Sequence, residues 1–202
     1  MTKLDELMAK FCPNGVEYKE LKDIAKISRG IRVVKKELAE KGKYPVYQNS
    51  MTPLGYYDKY NCPSNTTFII SAGAAGEIGY SYSEFWAADD CLYFICSDYL
   101  ISRYLYHYLL TKQNFLYSNV RKASVPRLSR NVVEKIKIPV PPLEVQREIV
   151  RILDNFTELT TELTTELTTE LTTELAARKK QYEYYRDMLL NFDDTRGGYI
   201  LG

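Results

Sequence analysis

The sequence predicts an α+β fold, in which a mixed α/β domain over residues 1–140 precedes one long, coiled-coil-like helix over residues 141–195 and a tail at 196–202. Three observations predict it. Short β-branched and aromatic runs, separated by turn residues, occupy the first part. From Leu143 no Gly or Pro occurs until Gly197, which allows an uninterrupted helix of about 50 residues. Within that stretch the unit TELT repeats over residues 157–175.

The elements of the first domain follow from local patterns. Leu4, Leu7, Met8 and Phe11 recur at helical spacing and predict a short helix, which the turn residues of CPNG end. Four runs bounded by Gly, Pro, Asn and Ser predict strands: YPVYQ, TTFIIS, GEIGYSY and CLYFIC. Between Ser97 and Ser118, apolar residues at helical spacing predict one helix packed on the sheet: Leu100, Ile101, Tyr104, Leu105, Tyr108 and Leu109.

The segment IKIPVPPLEVQREIVRIL leads from the domain into the long helix. It predicts a short strand, a proline-rich turn and a helix whose first position can hold Pro142, because the missing N–H of proline costs nothing there. An apolar stripe then runs into the leucines of the repeat. A helix of this length cannot cover its own stripe, so the sequence predicts a partner helix. The expected dimerisation residues are Ile149, Leu153, Phe156, Leu159, Leu163, Leu167, Leu171 and Leu175.

The four-residue period of the repeat does not match a coiled-coil heptad. Each leucine lies about 400° beyond the previous one, so the leucine line drifts by about 40° per unit. A simple heptad zipper cannot keep all five leucines in one seam. One added unit changes the helix length by about 6 Å. The repeat is therefore interpreted as a ruler, meaning that the number of units sets the length of the helix. The alternative is an incidental repeat expansion in a solvated helix.

Composition excludes several classes of protein. Cys12, Cys62, Cys91 and Cys96 form no C-x-x-C pair and His107 is the single histidine, so no metal site and no disulfide framework is expected. The thiols are expected to be reduced and mostly buried, and His107 has no evident catalytic partner. No run of eighteen apolar residues and no signal core occurs, which predicts a cytoplasmic protein without a membrane partner.

Charge is distributed unevenly along the chain. Residues 1–150 hold 21 Lys and Arg against 16 Asp and Glu, whereas residues 151–202 hold 6 against 10. Within the first part, Lys19–Lys43 holds nine basic and four acidic residues, and Arg121–Lys137 holds six and one. Basic clusters interleaved with tyrosine suit nucleic acid, although a solvated surface is the commoner explanation for such clusters.

Three segments resemble the DNA-specificity subunit of type I restriction–modification systems. They are CPNGVEYKELKDIAKISRG, TTFIISAGAAGEIG and VPRLSRNVVEKIKIPVPPLEVQREIVRILDNF, the last followed by a repeat-bearing helix and YEYYRDMLLNF. The resemblance implies a target-recognition domain for DNA followed by a spacer helix. Full-length members of the family resemble two such units in tandem. This chain has one, so it resembles a half-length subunit, natural or engineered.

The resemblance also implies an assembly. In the family, spacer helices pair antiparallel, hold two recognition domains at a fixed distance and dock methyltransferase subunits. A second copy of this chain could supply the antiparallel helix, and its target would be an inverted repeat in double-stranded DNA. No cofactor is expected in this chain, since S-adenosylmethionine would be bound by the partner methyltransferase. Whether a restriction or translocase subunit joins the complex is left open.

Candidate DNA-binding residues come from side-chain chemistry, because no family motif transfers to single positions. Arginine forks suit guanine or phosphate, amides suit adenine, and lysines suit the backbone. The small residues of SAGAAG allow either close approach to DNA or a tight turn. Tyr56 and Tyr57 are possible stacking groups, although core packing is the alternative. The candidates are Arg29, Arg32, Lys35, Lys36, Gln48, Asn49, Ser50, Tyr57, Ala74, Lys122, Ser124 and Arg127.

Rival functions fit the sequence less well. A self-sufficient methyltransferase needs a glycine-rich cofactor loop and an N/D-P-P-Y/F site, and PVPPLE lacks the amide or acid before its prolines. A nuclease needs a carboxylate cluster for metal, of which Asp89-Asp90 and EKIK hold only fragments. The sequence therefore predicts a non-catalytic protein. A coiled-coil adaptor without specific DNA binding explains the helix but not the basic loops.

Overall fold

A computed structural model describes residues 2–190 and confirms a mixed α/β domain followed by one long helix. The chain divides into two compact units, Met1–Leu153 and Asp154–Gly202. The expected helix end at 195 and the tail at 196–202 lie outside the described residues. The expected boundary at 140 falls just before the long helix begins, whereas the first unit includes the first turns of that helix.

A four-stranded antiparallel sheet forms the centre of the first unit. Its strands in spatial order are β2 (Ala25–Arg29), β8 (Cys91–Cys96), β5 (Thr66–Ile70) and β6 (Ile78–Ser81). Every residue of β5 is buried, so both faces of this strand are covered. That burial explains why TTFII reads as an apolar run without the alternation of a half-exposed strand.

A smaller sheet packs beside the first one. It orders β4 (Gly55–Tyr57), β3 (Tyr44–Tyr47) and β7 (Trp86–Ala87), and β3 and β7 run parallel. Val33, Val46 and Ala88 form its buried cluster. The four strands expected from the sequence are all present. No sequence pattern predicted β2, β4 or β7, which are five, three and two residues long. β4 and β7 are too short to show the alternation of a strand.

Two short strand pairs complete the first unit. β1 (Tyr18–Glu20) pairs antiparallel with β11 (Lys137–Pro139), which joins the beginning of the chain to the segment before the long helix. β9 (Val120–Arg121) and β10 (Arg127–Leu128) form a hairpin, in which Arg121 lies opposite Arg127.

The helices of the first unit cover the central sheet and the chain ends. They are α1 (Lys3–Phe11), α2 (Leu21–Ile24), α3 (Ser102–Thr111), α4 (Gln113–Ser118) and α5 (Arg130–Glu134), and α6 (Leu143–Leu190) begins in this unit. The main core lies between the sheet and α3, where Leu105 and Leu109 are fully buried. Thr67 ties β5 to α3, because its hydroxyl bonds the carbonyl oxygen of Ser102 at 2.7 Å.

The single helix expected between Ser97 and Ser118 is wrong, since α3 and α4 are separate. The helix breaks at Lys112, whose backbone angles are φ −99° and ψ 7°. Beyond the break, the Gln113 side chain donates to the carbonyl of Gly76 at 2.6 Å, and Leu116 is fully buried. These long-range contacts redirect the chain without a Gly or Pro, so no local pattern marks the break.

Gln146 fixes the start of α6 to the rest of the first unit. Its amide is fully buried and bonded on both sides, accepting from the Ile101 backbone N–H at 2.9 Å and donating to the carbonyls of Tyr99 and Pro141 at 2.8 Å each. The helix begins at Leu143, and Pro142 lies one residue before it and accepts from the Gln146 N–H at 3.1 Å. The expected placement of Pro142 at the first helical position is therefore shifted by one residue.

Helix α1 is held to α6 by charge. Thr2 caps α1 and forms a capping box with Asp5. Lys3 reaches Glu148 at 2.9 Å, and Arg151 reaches the other oxygen of the same carboxylate at 2.6 Å. Glu148 is 3% exposed. Its hydrogen bonds with Arg151 and then with Lys3 lower the pKa of Glu148 to about 2.

The second unit is described as helix from Asp154 to Leu190. Its leucines at 159, 163, 167, 171 and 175 are between 55% and 68% exposed. Each threonine from Thr160 to Thr173 donates its hydroxyl to the backbone carbonyl four residues earlier, at 2.7–2.9 Å. Because the hydroxyls are bonded within the helix, the threonines present their methyl groups outward.

The paired carboxylate of Glu148 predicts an acid-dependent loss of stability. A free Glu has a pKa of about 4.3, so the lowered pKa in the folded protein stabilises it above that value. This contribution is lost as the pH falls from about 4.3 towards 2. Thermal unfolding from pH 6 to pH 2 should show a steeper acid fall in the wild type than in Glu148→Gln. Parallel profiles would contradict the role given to this carboxylate.

Candidate nucleic-acid interface

The loop after β2 is fixed against the segment between β7 and β8. Gly30 donates to the Cys91 carbonyl at 3.0 Å, and Ile31 donates to the Ala87 carbonyl at 2.9 Å. A Cβ at Gly30 would lie 2.2 Å from the carbonyl oxygens of Ala87 and Ala88, so only glycine fits there. Arg29, a predicted DNA-binding residue, ends β2 immediately before this close approach and is exposed.

The predicted reading segment Gln48–Ser50 follows β3 and is also anchored. The Cys91 thiol bonds the carbonyl oxygens of Tyr47 and Gln48 at 3.2 and 3.3 Å. Burial raises the pKa of the Cys91 thiol well above its usual range, so it stays protonated and can donate. Asn49 is exposed, and Gln48 and Ser50 are half-buried.

The turn SAGAAG packs against this segment. Ala74 donates to the Asn49 carbonyl at 2.9 Å. Gly73 and Gly76 adopt φ of +84° and +94°, and a Cβ at Gly73 would lie 2.7 Å from the Asn49 carbonyl oxygen. These two glycines therefore serve a tight turn that packs on its own chain. Ala74 is half-buried against the cluster that contains Phe68 and Cys91.

The β9–β10 hairpin joins the same edge. Gly73 donates to the Pro126 carbonyl at 3.1 Å, and Leu128 donates to the Ser71 carbonyl at 2.8 Å. The predicted contacts Lys122, Ser124 and Arg127 are exposed on this hairpin. Backbone hydrogen bonds thus bring three segments together that are far apart in sequence: Gln48–Ser50, Ser71–Gly76 and Arg121–Leu128.

A cleft of about 430 Å³ opens beside these segments. Four arginines line it together with Ser71 and Ser129: Arg29, Arg121, Arg127 and Arg130. Arg29 and Arg127 were predicted, whereas Arg121 and Arg130 were missed. The basic run from Arg121 to Lys137 signalled both residues, but only the folded hairpin and the start of α5 bring them to the end of β2.

Other predicted residues lie apart from the cleft lining. Arg32, Lys35 and Lys36 are exposed between β2 and β3, where Lys35–Glu37 forms a single 3-10 turn. Tyr57 is half-buried, and its ring packs edge-on against Trp86 with centroids 5.0 Å apart. The packing alternative describes Tyr57 well, since its ring already has an aromatic partner.

A larger groove of about 950 Å³ follows β2 and β8 and meets Arg29 and Arg130 at its lining. Its lysines are accompanied by the carboxylates of Asp23 and Glu134. A lining of mixed charge attracts a polyanion less than the arginine cleft does. The smaller cleft is therefore the better candidate for the interface.

Metal binding, the single histidine and membrane spans can each be checked in the described residues. Among residues 2–190, no group of three His, Cys, Asp or Glu side chains is placed to hold a metal ion. The His107 ring lies against Tyr106 with centroids 5.3 Å apart. No helix in the described part of the chain is long and apolar enough to span a membrane.

Comparisons with known sequences agree on one family. Residues 13–173 match the type I restriction modification DNA specificity domain. A Haemophilus influenzae protein named as a type I restriction enzyme specificity subunit is 41% identical over 93% of this chain and 49% of its own length. The type I restriction enzyme MpnII specificity subunit of Mycoplasma pneumoniae is 31% identical over 86% of this chain and 52% of its own length. The chain thus spans about half the length of these relatives.

Solved structures show the same fold. The S subunit of a type I restriction–modification system from M. genitalium superposes with a TM-score of 0.67 at 19% identity, covering 90% of this chain and 48% of that chain. The HsdS subunit from Thermoanaerobacter tengcongensis gives 0.60 at 19% identity, covering 80% and 43%.

The contact between Gly73 and Asn49 predicts a selective defect in DNA binding. Gly73→Ala places a methyl group against the Asn49 backbone and should lower affinity for double-stranded DNA roughly tenfold, as one lost base contact does. Gly15→Ala is the matched control, because Gly15 has φ +92° and open space around it. Gly15→Ala should lose about 1–2 kcal/mol of unfolding free energy through its backbone conformation, and Gly73→Ala should lose more because its methyl group also meets the Asn49 backbone. Equal DNA affinity of the two variants at fixed salt would place Asn49 outside the interface.

Proposed function

The chain belongs to the family of type I restriction–modification DNA specificity subunits, and we propose that its first unit binds one half of a bipartite DNA target. Membership of this family gives the chain a specificity role rather than a catalytic one. In the proposed assembly two copies pair through α6, so that two identical recognition domains read an inverted repeat. The methyltransferase subunits dock on this dimer and bring S-adenosylmethionine with them.

The convergence of anchored loops beside the arginine cleft carries the DNA-binding part of the proposal. Base-reading residues need a rigid support, because a small displacement loses a bidentate hydrogen bond. Asn49 has such a support, since its own carbonyl accepts from Ala74 and the preceding carbonyls bond Cys91. The exposed amide of Asn49 suits adenine, and the arginines supply the positive charge that the phosphates require. Arg32, Lys35 and Lys36 remain proposed contacts farther along the same loop.

The surface of α6 supports the pairing of two copies. Leu159 to Leu175 are more than half exposed, and the threonine hydroxyls are already bonded to their own helix. A partner helix can therefore cover the leucine side chains and the methyl groups of the flanking threonines, such as Thr164 and Thr168, without leaving a buried hydroxyl unpaired. Leu153 and Phe156 extend this surface, at 37% and 65% exposure. Ile149 instead packs against the main core of its own first unit.

The proposed assembly has two consequences, one for the location of the complex and one for the alternative function as a coiled-coil adaptor. A methyltransferase partner and double-stranded DNA place the complex in the cytoplasm, and a restriction or translocase subunit is a further possible component. A coiled-coil adaptor without DNA binding would need α6 but not the anchored loops. The two functions are separated by whether the chain directs methylation to a defined sequence.

The first prediction from this proposal concerns the dimer. Replacing Leu163 and Leu167 by Glu should convert the dimer into a monomer at micromolar concentration, because two charges would enter the apolar contact. Thr161→Glu with Thr165→Glu adds the same charges about 160° away around the helix and should leave the dimer intact. Sedimentation equilibrium measures both variants. A monomeric wild type, or a dimer that survives the leucine substitutions, would contradict pairing through this surface.

The second prediction tests the proposed function as a whole. Deleting one TELT unit shortens α6 by about 6 Å. DNA rises about 3.4 Å per base pair, so the gap between half-sites should contract by one or two base pairs. The half-sites themselves should not change. Sequencing the methylated sites of a host that expresses the variant with its methyltransferase subunit measures the gap and the half-sites together.

A length-preserving control separates spacing from helix composition. Thr164→Ala with Thr165→Ala keeps the number of residues and should keep the gap of the wild type. An unchanged gap in the deletion variant would refute the ruler, and altered half-sites would show that α6 takes part in base reading. Methylation without any defined sequence would favour the adaptor.

A further inference from the structure

The arginine cleft concentrates positive charge, most of which the described part of the chain leaves without an ion pair. Among the residues described, 2–190, Arg130 is the one cleft arginine with an ion pair, to Glu134 at 2.7 Å. Arg29, Arg121 and Arg127 have no carboxylate partner in that part of the chain. Within residues 2–190, no acidic side chain lines the cleft. Such a cleft attracts an anion from solution.

The fold forces two of these charges together at a cost. Arg121 and Arg127 lie directly opposite each other in the β9–β10 pair. Like charges at opposed strand positions destabilise a sheet. Arg127 is further fixed by a bridge to Ala72, and Leu128 donates to Ser71. The hairpin keeps these two backbone positions side by side, so an anion bound between the two side chains would offset their repulsion.

The shape of the cleft selects a phosphate over a base edge. Base edges lie on the floor of a DNA groove and are reached by protruding side chains or elements. Phosphates project from the duplex and can enter a concave site. Arginine forks match phosphate oxygens bidentately, and several arginines can surround one phosphate.

The position of the cleft links such a phosphate to base reading. Ser71 lines the cleft and begins the turn whose Ala74 bonds Asn49. Contacts to the backbone fix the register of a protein on DNA, while base contacts specify the sequence. A phosphate held here would set the distance from the DNA backbone to the Asn49 amide.

We propose that Arg29, Arg121, Arg127 and Arg130 form a seat for one backbone phosphate of the DNA, which sets the register of the adjoining reading loops. This inference rests on the proposed function for its biological target. The seat itself does not depend on sequence, so it acts on any duplex.

The first arm of the test uses a random-sequence duplex and the whole 202-residue chain. Binding is titrated against salt for the wild type, Arg121→Ala, Arg127→Ala and Arg147→Ala, the last an exposed arginine outside the cleft. Each cleft variant should flatten the log–log salt slope, and the double variant Arg121→Ala with Arg127→Ala by no more than about one unit, because the four arginines share a single phosphate. Arg147→Ala should leave the slope unchanged. Arg127→Lys keeps the charge and should retain the slope. Wild-type slopes in both cleft alanine variants, or a slope lost equally in Arg127→Lys, would overturn the seat.

The second arm uses the half-site found by methylation mapping, with single phosphates replaced by uncharged methylphosphonate. One position should weaken wild-type binding roughly ten- to hundredfold, as expected for a lost charged hydrogen bond. The same replacement should have a clearly smaller effect on Arg127→Ala, because one of the groups that hold the phosphate is already lost, while it should add fully to Arg147→Ala. If the cleft variants instead lose discrimination between bases and every replacement adds independently, the cleft reads a base and the seat is refuted.

The two arms fail differently. If the wild type prefers no sequence, the proposed function fails, and the random-duplex arm still decides whether the cleft holds a phosphate. If specific binding is present but the slopes of the cleft variants match that of the wild type, the proposed function stands and the phosphate seat does not.

Discussion

The hydrogen bonds of Ser71 hold together the edge on which the rest of the site depends. Ser71 follows the fully buried strand β5 and is itself 4% exposed. Its N–H and its hydroxyl both bond the Asp90 carbonyl, at 2.6 and 2.9 Å, and its carbonyl accepts from Leu128. One residue thus connects β5, the loop before β8 and the β9–β10 hairpin. The exposed side chains around Ser71 differ in chemistry, and hydrogen bonds hold the backbone that carries them. Recognition loops need such a supported backbone.

The two units differ in the kind of surface that they expose. The first unit buries its apolar residues in its own clusters and exposes arginines, so its free surface suits a polyanion. The second unit exposes leucines along its length and contains few cations until Arg178. Threonine is a mediocre helix former, and its back-bonded hydroxyl tends to bend a helix. Threonine at regular positions has one advantage over a stronger helix former. Its hydroxyl is already bonded to its own helix, so its methyl group can pack against a partner helix.

Local sequence patterns located most of the longer strands and the long helix, but not the shortest strands or the contacts between elements. TTFII and CLYFIC were recognised as strands because β-branched and aromatic residues cluster in them, and the absence of Gly and Pro after Leu143 revealed α6. The helix break at Lys112 was not predicted, because the hydrogen bond from Gln113 to Gly76 and the contacts that bury Leu116 involve residues distant in sequence. Two of the four cleft arginines, Arg29 and Arg127, were predicted from their chemistry. Arg121 and Arg130 became relevant only because the pairing of β9 with β10 and the start of α5 bring them to the cleft. Gln146 lies in the segment IKIPVPPLEVQREIVRIL, but its three hydrogen bonds could not be predicted from that segment, because Ile101 and Tyr99 are distant in sequence.

The anchors of α6 and the anchors of the loops share no residue, and this separation has a structural consequence. The start of α6 depends on Gln146 with Tyr99, Ile101 and Pro141, and on Glu148 with Lys3. The loops depend instead on Ser71, Gly73 and Cys91 and on the backbone groups that these residues meet. Substitutions at the exposed loop positions therefore leave the helix junction intact, and a change in the number of repeat units leaves the loops intact. A fold arranged in this way allows independent changes in the exposed loops and in the length of α6, because the two sets of constraints meet only through the shared core.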